Sequence, residues 1–296
     1  MKFFLIAALA VLTMASCTKI PPDETLVPIN FGTGLLVSTK APITSDESGK
    51  LSSDLSGVQI LRAPDGGSAD WTSVSSVAST AIIKATTGAV ENATTLYYNV
   101  AGSKAWVMAF YPSATMSANK AAWTITGQED IIVAPSVDAG SKSSHSTVPL
   151  AFAHKLAQVQ FEVVAADADA ITYWGTVAYI KVNAATSLEL TLSSNTLSAA
   201  GTPVNADLSS SGTFPQTLTT SAASAGSLMV LPTTLGTLKV DTANGSEETI
   251  TVSGLPDPLV AGVAYKITLT FTRTAITMSA TITNWTTGAS GTGSVS

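Results

Sequence analysis

The single thiol of this chain, Cys17, sits where a thiol can be put to one particular use. Lys2 is followed by an apolar run over residues 3–11, and the small residues Ala15 and Ser16 stand directly before the cysteine. A basic start, an apolar core, small residues and then Cys form the pattern of a bacterial lipoprotein signal. The sulfur accepts a diacylglyceryl group, and the chain is cut before Cys17. The apolar stretch is about 14 residues, short of the roughly 20 that a spanning helix needs. An ordinary secretory signal with an incidental cysteine is the competing reading, and the small residues at 15 and 16 favour lipidation over it. Acyl chains anchor strongly, since each buried CH2 contributes about 0.8 kcal/mol. Once Cys17 is acylated, no thiol remains for a disulfide, a metal or a nucleophile.

The other side chains with chemical potential are scattered. His145 lies in a Ser-rich stretch, and His154 precedes an alternating apolar segment; neither falls in a pattern of a catalytic triad or a zinc site. His154 reads as a half-buried residue hydrogen-bonded near a strand entry. Asp167 and Asp169 could hold calcium weakly, but such a pair more often marks a solvated turn. No phosphate-binding glycine pattern occurs. The expectation is therefore no catalytic residue, no metal and no cofactor. Five tryptophans remain. Trp106 and Trp285 fall within strand patterns and read as core anchors, whereas Trp71 and Trp174 lie in polar or glycine-flanked contexts and are the candidates for glycan contact. A net charge of −6 argues against a nucleic-acid partner. Only 11% of residues are charged, against about a quarter in typical domains, so strand edges lack their usual guard of Lys and Glu.

The elements that must position these residues are strands. Residues 17–28 carry closely spaced prolines and read as an extended tether. Beyond them, nearly every apolar segment is short, β-branched and bounded by Gly, Pro, Ser, Asn or Asp. Val159, Phe161 and Val163 point one way while Gln160 and Glu162 point the other, and residues 265–271 alternate in the same manner. Such alternation gives each strand one buried face, hence sheets packed face to face. The nearest approach to a helix, at residues 165–170, is interrupted by Asp167 and Asp169. A seam is expected at 137–148, a run rich in Ser, Gly and Lys. The organisation expected is a signal peptide over 1–16, a tether over 17–28, and β-sandwich domains over 29–146 and 147–296.

Several of these segments together resemble the fimbrillin family of Bacteroidetes pilins. Residues 148–163, with Phe152, His154, Leu156, Ala157, Val159, Phe161 and Val163, are similar to the string that opens the family's second domain. Leu231-Pro232, residues 259–270, residues 280–288 around Trp285, and residues 39–44 resemble further landmarks, in the family's order. The resemblance implies an all-β fold of two transthyretin-like β-sandwich domains in tandem. It also implies a surface-exposed outer-membrane lipoprotein that joins other fimbrial subunits after a protease removes the first strand. The candidate leaving strand spans 29–38, where Ile29, Phe31, Leu35 and Val37 alternate. Burying three or four such side chains is worth on the order of 6–10 kcal/mol. The cut is expected between Lys40 and Ala41, where the family usually has Arg in place of Lys40. The candidate donor strand is the C-terminal segment with Ile276, Met278, Ala280 and Ile282. A receptor on a host or bacterial surface fits an adhesin role. The rival expectation is a glycan-binding outer-membrane lipoprotein of a polysaccharide-uptake system.

Overall fold

The computed structural model describes residues 26–33, 53–202 and 204–283. Among these residues the chain is built almost entirely of strands. The strand Ala105–Tyr111 shows why. It reads Ala-Trp-Val-Met-Ala-Phe-Tyr, with no polar alternation, and both its faces are covered. Val107 and Ala109 enter a front core with Ile29, Phe31, Val58 and Ile60. Met108 and Phe110 enter a different core with Leu61, Trp123 and Ile131. A strand packed on both sides loses the two-residue rhythm and keeps only apolar residues.

This strand lies inside a large antiparallel front sheet. Its order runs Ala153–His154, Ile132–Ser141, Ala105–Tyr111, Leu55–Ala63, Ser79–Ile83 and Val90–Asn92. Residues 137–148, where a domain seam is expected, finish the strand Ile132–Ser141, turn back through Ser144–His145 and reach the start of Val148–Leu150. Their polar composition belongs to an exposed hairpin whose tip is Lys142-Ser143. Over the front core lies a small parallel pair, Phe31–Thr33 with Val148–Leu150.

The rear of the molecule is a sandwich of two sheets. One holds Ala223–Val230, Ala157–Ala165, Ala264–Phe271 and Ile276–Thr283; the other holds Asn205–Ser209, Thr176–Ala185, Thr237–Thr242 and Glu248–Thr251. Val159, Phe161, Ile180, Val182, Tyr265 and Ile267 fill the space between them. The alternation read in residues 159–163 and 265–271 is this buried face.

A third core joins front and rear. Lys120–Thr124 pairs antiparallel with Ser187–Thr191, so one sheet draws strands from both halves of the chain. Phe110 meets Trp123 edge to face at 5.3 Å in this core, beside Leu188, Leu190, Met229 and Leu231. Val148–Leu150 and Ala153–His154 likewise pair with partners earlier in the chain.

The reading of residues 165–170 as interrupted by Asp167 and Asp169 needs a small correction. Ala168–Trp174 is a seven-residue helix, and Asp167, read as a breaker, is its N-cap. The Asp167 carboxylate accepts a hydrogen bond from the Ala170 N–H at 2.8 Å, and Asp169 stands in the first turn, where a negative charge suits the helix dipole.

One close approach sets the shape of the rear sheet. The pairing of Ala157–Ala165 with Ala223–Val230 shifts register between Gln160 and Glu162, opposite Gly226. Gly226 has φ +83°, and a Cβ there would lie 2.0 Å from the Gly212 nitrogen. Gly226→Ala is therefore expected to lose at least about 2 kcal/mol in urea unfolding followed by tryptophan fluorescence. Gly67→Ala, where a Cβ meets nothing within 4 Å, should stay within about 0.5 kcal/mol of the parent.

Candidate functional site

The front segment 27–33 is held along both of its edges. On one side the Val148 N–H donates to Asn30 O at 2.8 Å, and Phe31, Gly32 and Thr33 lie opposite Val148, Pro149 and Leu150 in parallel register. On the other side the Ile29 N–H donates to Leu96 O at 2.7 Å, and the Tyr98 N–H donates to Val27 O at 2.9 Å. Bridges link Pro28 with Tyr97 and Gly32 with Ala89. The segment is thus an inner strand, not a fringe. Ile29 and Phe31 are 2% and 8% exposed and reach into the front core. Gly32 permits the close pairing, because a Cβ there would sit 2.9 Å from the Thr147 methyl.

The walls of this slot are pinned from the front sheet. Arg62 belongs to Leu55–Ala63, which has neighbours on both sides. Its guanidinium grips Asp65 through Nη2 at 2.7 and 3.0 Å and donates through Nη1 to Tyr97 O at 2.5 Å. The residue that carries the first half's arginine is therefore a clasp on the segment beside the front strand. Next along that segment, the Tyr98 hydroxyl donates to Ala139 O at 2.6 Å. Burial pushes the Tyr98 phenol up, so the hydroxyl keeps its proton and its role as donor.

Beneath the opposite wall, the chain runs from Val148–Leu150 through Phe152 to His154. His154 is 9% exposed, and its Nδ1 lies 2.9 Å from the carboxylate of Asp130, itself 2% exposed. A buried carboxylate needs such a donor, so the pair ties this wall to the strand Ile132–Ser141 that follows Asp130. His154 pairs with Ile132 in the same sheet. His145 lies apart, on the exposed hairpin, its ring 5.4 Å from that of Tyr98.

The C-terminal strand Ile276–Thr283 lies at the edge of the rear sheet, antiparallel to Ala264–Phe271. Ile276, Met278 and Ala280 pack against the rear core, and Ile282 is 55% exposed.

Both tryptophans proposed for glycan contact are buried. Trp71 is 4% exposed and joins the linking core. Trp174 is 5% exposed, donates through Nε1 to Thr272 O at 2.6 Å and meets Phe271 edge to face. At such exposure neither presents a platform for a sugar ring. Among the described residues, no cluster of three His, Cys, Asp or Glu could hold a metal, and no helix is long and apolar enough to cross a membrane. Cys17, Leu35, Val37, Lys40, Ala41 and Trp285 lie outside the described residues. Sequence reading missed the parallel partner Val148–Leu150 and the Arg62 clasp. The short apolar triplet around Pro149 was the only local sign of the first, and the second left none.

Comparison with known proteins agrees with this architecture. The fimbrillin-like family model matches residues 52–285. The fold is similar to that of a candidate cell adhesion protein of Bacteroides uniformis, at 18% identity and a TM-score of 0.62, covering 90% of this chain and 100% of that one. A candidate cell adhesion protein of Bacteroides ovatus is similar at 15% identity and a TM-score of 0.57, covering 88% and 98%. A fimbrial protein of Bacteroides vulgatus is similar at 16% identity and a TM-score of 0.53, covering 88% and 99%. No curated protein matches the chain. With the family model covering most of its length, and a sheet arrangement shared with a fimbrial protein, the chain belongs to the fimbrillin-like family.

Proposed function

We propose that this chain is a fimbrial subunit or fimbrillin-like surface adhesin, made as a lipid-anchored precursor and polymerised by protease-triggered strand exchange. The observation that carries the reading is the inner position of segment 27–33, bonded on both edges and roofing the front core. Taking an inner strand away uncovers two rows of backbone groups and an apolar trough, and only another strand can satisfy both. Ile29 and Phe31 alone contribute about 1.5–3 kcal/mol each by burial, so the vacated slot binds a matching strand with useful strength. Cys17 anchors the precursor in the outer membrane, and the cut falls between Lys40 and Ala41, after the front strand. Arg62 is a poor alternative, because it lies within a strand paired on both sides and its side chain is engaged. The donor is the C-terminal strand, whose Ile276, Met278, Ala280 and Ile282 repeat the two-residue spacing of Val27, Ile29 and Phe31. Two sandwich domains, 29–146 and 147–296, are the working division of the chain. The glycan-uptake reading loses its stacking residues to the interior, since Trp71 and Trp174 are both buried.

Amino-terminal sequencing of the protein sheared from cells should find Ala41 first, and Lys40→Gln should abolish both that terminus and SDS-resistant ladders. A surface form that starts at residue 17 while fimbriae still assemble would overturn the processing step. Gly32→Val should lower the stability of the uncut precursor by about 1–3 kcal/mol through the Thr147 contact, measured by urea unfolding. The same substitution should leave polymers of cut subunits unchanged, because residue 32 has by then departed.

A further inference from the structure

The strand edges of this molecule are not equally open. Ala223–Val230 is covered along its outer edge, where the Met229 N–H donates to Gly127 O at 2.7 Å and the Ser211 N–H to Ser227 O at 2.9 Å. Glu248–Thr251 and Asn205–Ser209 carry Glu248 and Asp207. Val90–Asn92, Thr115–Ser117, Thr196–Ala199 and Ala153–His154 are two to four residues long. Ile276–Thr283 differs from all of them. It is eight residues long, contains no charge and no proline, and pairs with Ala264–Phe271 without a break in register. Among the described residues, no backbone hydrogen bond reaches its outer edge. Among the described residues, every second residue therefore turns outward an N–H and C=O that meet no strand, with none of the usual devices that discourage strand addition.

The order of its residues says which strand fits there. Ile276-Thr277-Met278-Ser279-Ala280-Thr281-Ile282 reads nearly the same from either end. Antiparallel to a second copy about a twofold axis at Ser279, Ile276 meets the partner's Ile282 and Met278 meets the partner's Ala280. Thr277 meets the partner's Thr281, and Ser279 meets itself. One face of the pair is then wholly apolar and the other wholly hydroxylic, and cross-strand pairs of like character are the stabilising ones. All these partners share the same alternation, so the register works whichever set of residues turns its backbone outward.

The cavities agree. A cleft of about 500 Å3 opens between this strand and Glu248–Thr251, lined by Trp174, Ile250, Ile276 and Met278. Ile282, 55% exposed in the single chain, comes in this register beside the other copy's Ile276, at the mouth of that cleft. We propose that two copies pair edge to edge through Ile276–Thr283, joining two four-stranded sheets into one of eight. This goes beyond the fimbrial reading. It keeps the C-terminal strand in its own sheet and operates in the uncut precursor, whereas strand donation requires that strand to leave. A contact of one strand edge falls below the roughly 1,200 Å2 of stable interfaces, so the pairing is reversible in solution.

The test is cysteine cross-linking of the uncut full chain in detergent, in a C17S background that leaves no other thiol. S279C should form a disulfide-linked dimer under mild oxidation. T277C and T281C singly should not, while the T277C/T281C double variant should. I282D added to S279C should lower the cross-linked yield by about tenfold, with circular dichroism unchanged because Ile282 is exposed. The proposal is overturned if S279C links no better than T281C, if T277C alone links as well as S279C, or if I282D has no effect on yield. Using uncut chain keeps the result independent of strand exchange: failure here leaves the processing reading intact, and the reverse holds too.

Discussion

Two rows of backbone hydrogen bonds, one on each side of segment 27–33, close the front of the molecule. The strand-exchange reading follows from their being double. A strand at a fringe leaves one ladder open and can be lost with little consequence. A strand between two others cannot leave without exposing donors and acceptors that water-free surroundings do not tolerate. Here the neighbours are themselves anchored: the segment around Tyr97 by Arg62, the strand Val148–Leu150 by the chain that leads to the buried His154–Asp130 pair. Both walls of the slot are therefore tied to the front sheet independently of segment 27–33.

The rear sandwich depends on the front through shared packing rather than a hinge. Phe110, Met108 and Leu61 come from the front sheet; Leu188, Leu190 and Met229 come from the rear half; Trp123 lies between them. Because the strand Ala105–Tyr111 belongs to two cores at once, a cavity on one of its faces is felt on the other. A junction made of interdigitated side chains and a sheet drawn from both halves resists shear better than a flexible linker.

Much of this was legible in the residues. The alternation at 159–163 and 265–271 identified inward faces correctly, since both segments are rear-core strands. The predominance of strands followed from their punctuation and alternation. What was not legible has physical causes. The hairpin within 137–148 left no sign, because an exposed hairpin needs no apolar rhythm. Asp167 looked like a breaker because a capping residue and a breaking residue have the same composition until the following helix is known. Trp71 and Trp174 looked exposed because their sequence neighbours are polar, whereas their burial comes from residues distant in the chain. At the slot, Ile29 and Phe31 could be read from spacing; the parallel partner left only the short apolar triplet around Pro149, since parallel pairing is set by tertiary closure.

The rear sheet has a consequence for the order of events in biosynthesis. Its two middle strands run parallel, with Gln158 opposite Ala264 and Ala165 opposite Phe271. A strand near the middle of the chain must wait for one near its end. Until that late segment has emerged, Ala157–Ala165 has only Ala223–Val230 beside it, and Val159, Phe161 and Val163 lack half of their sheet. The rear core therefore closes only after residues 264–271 have emerged.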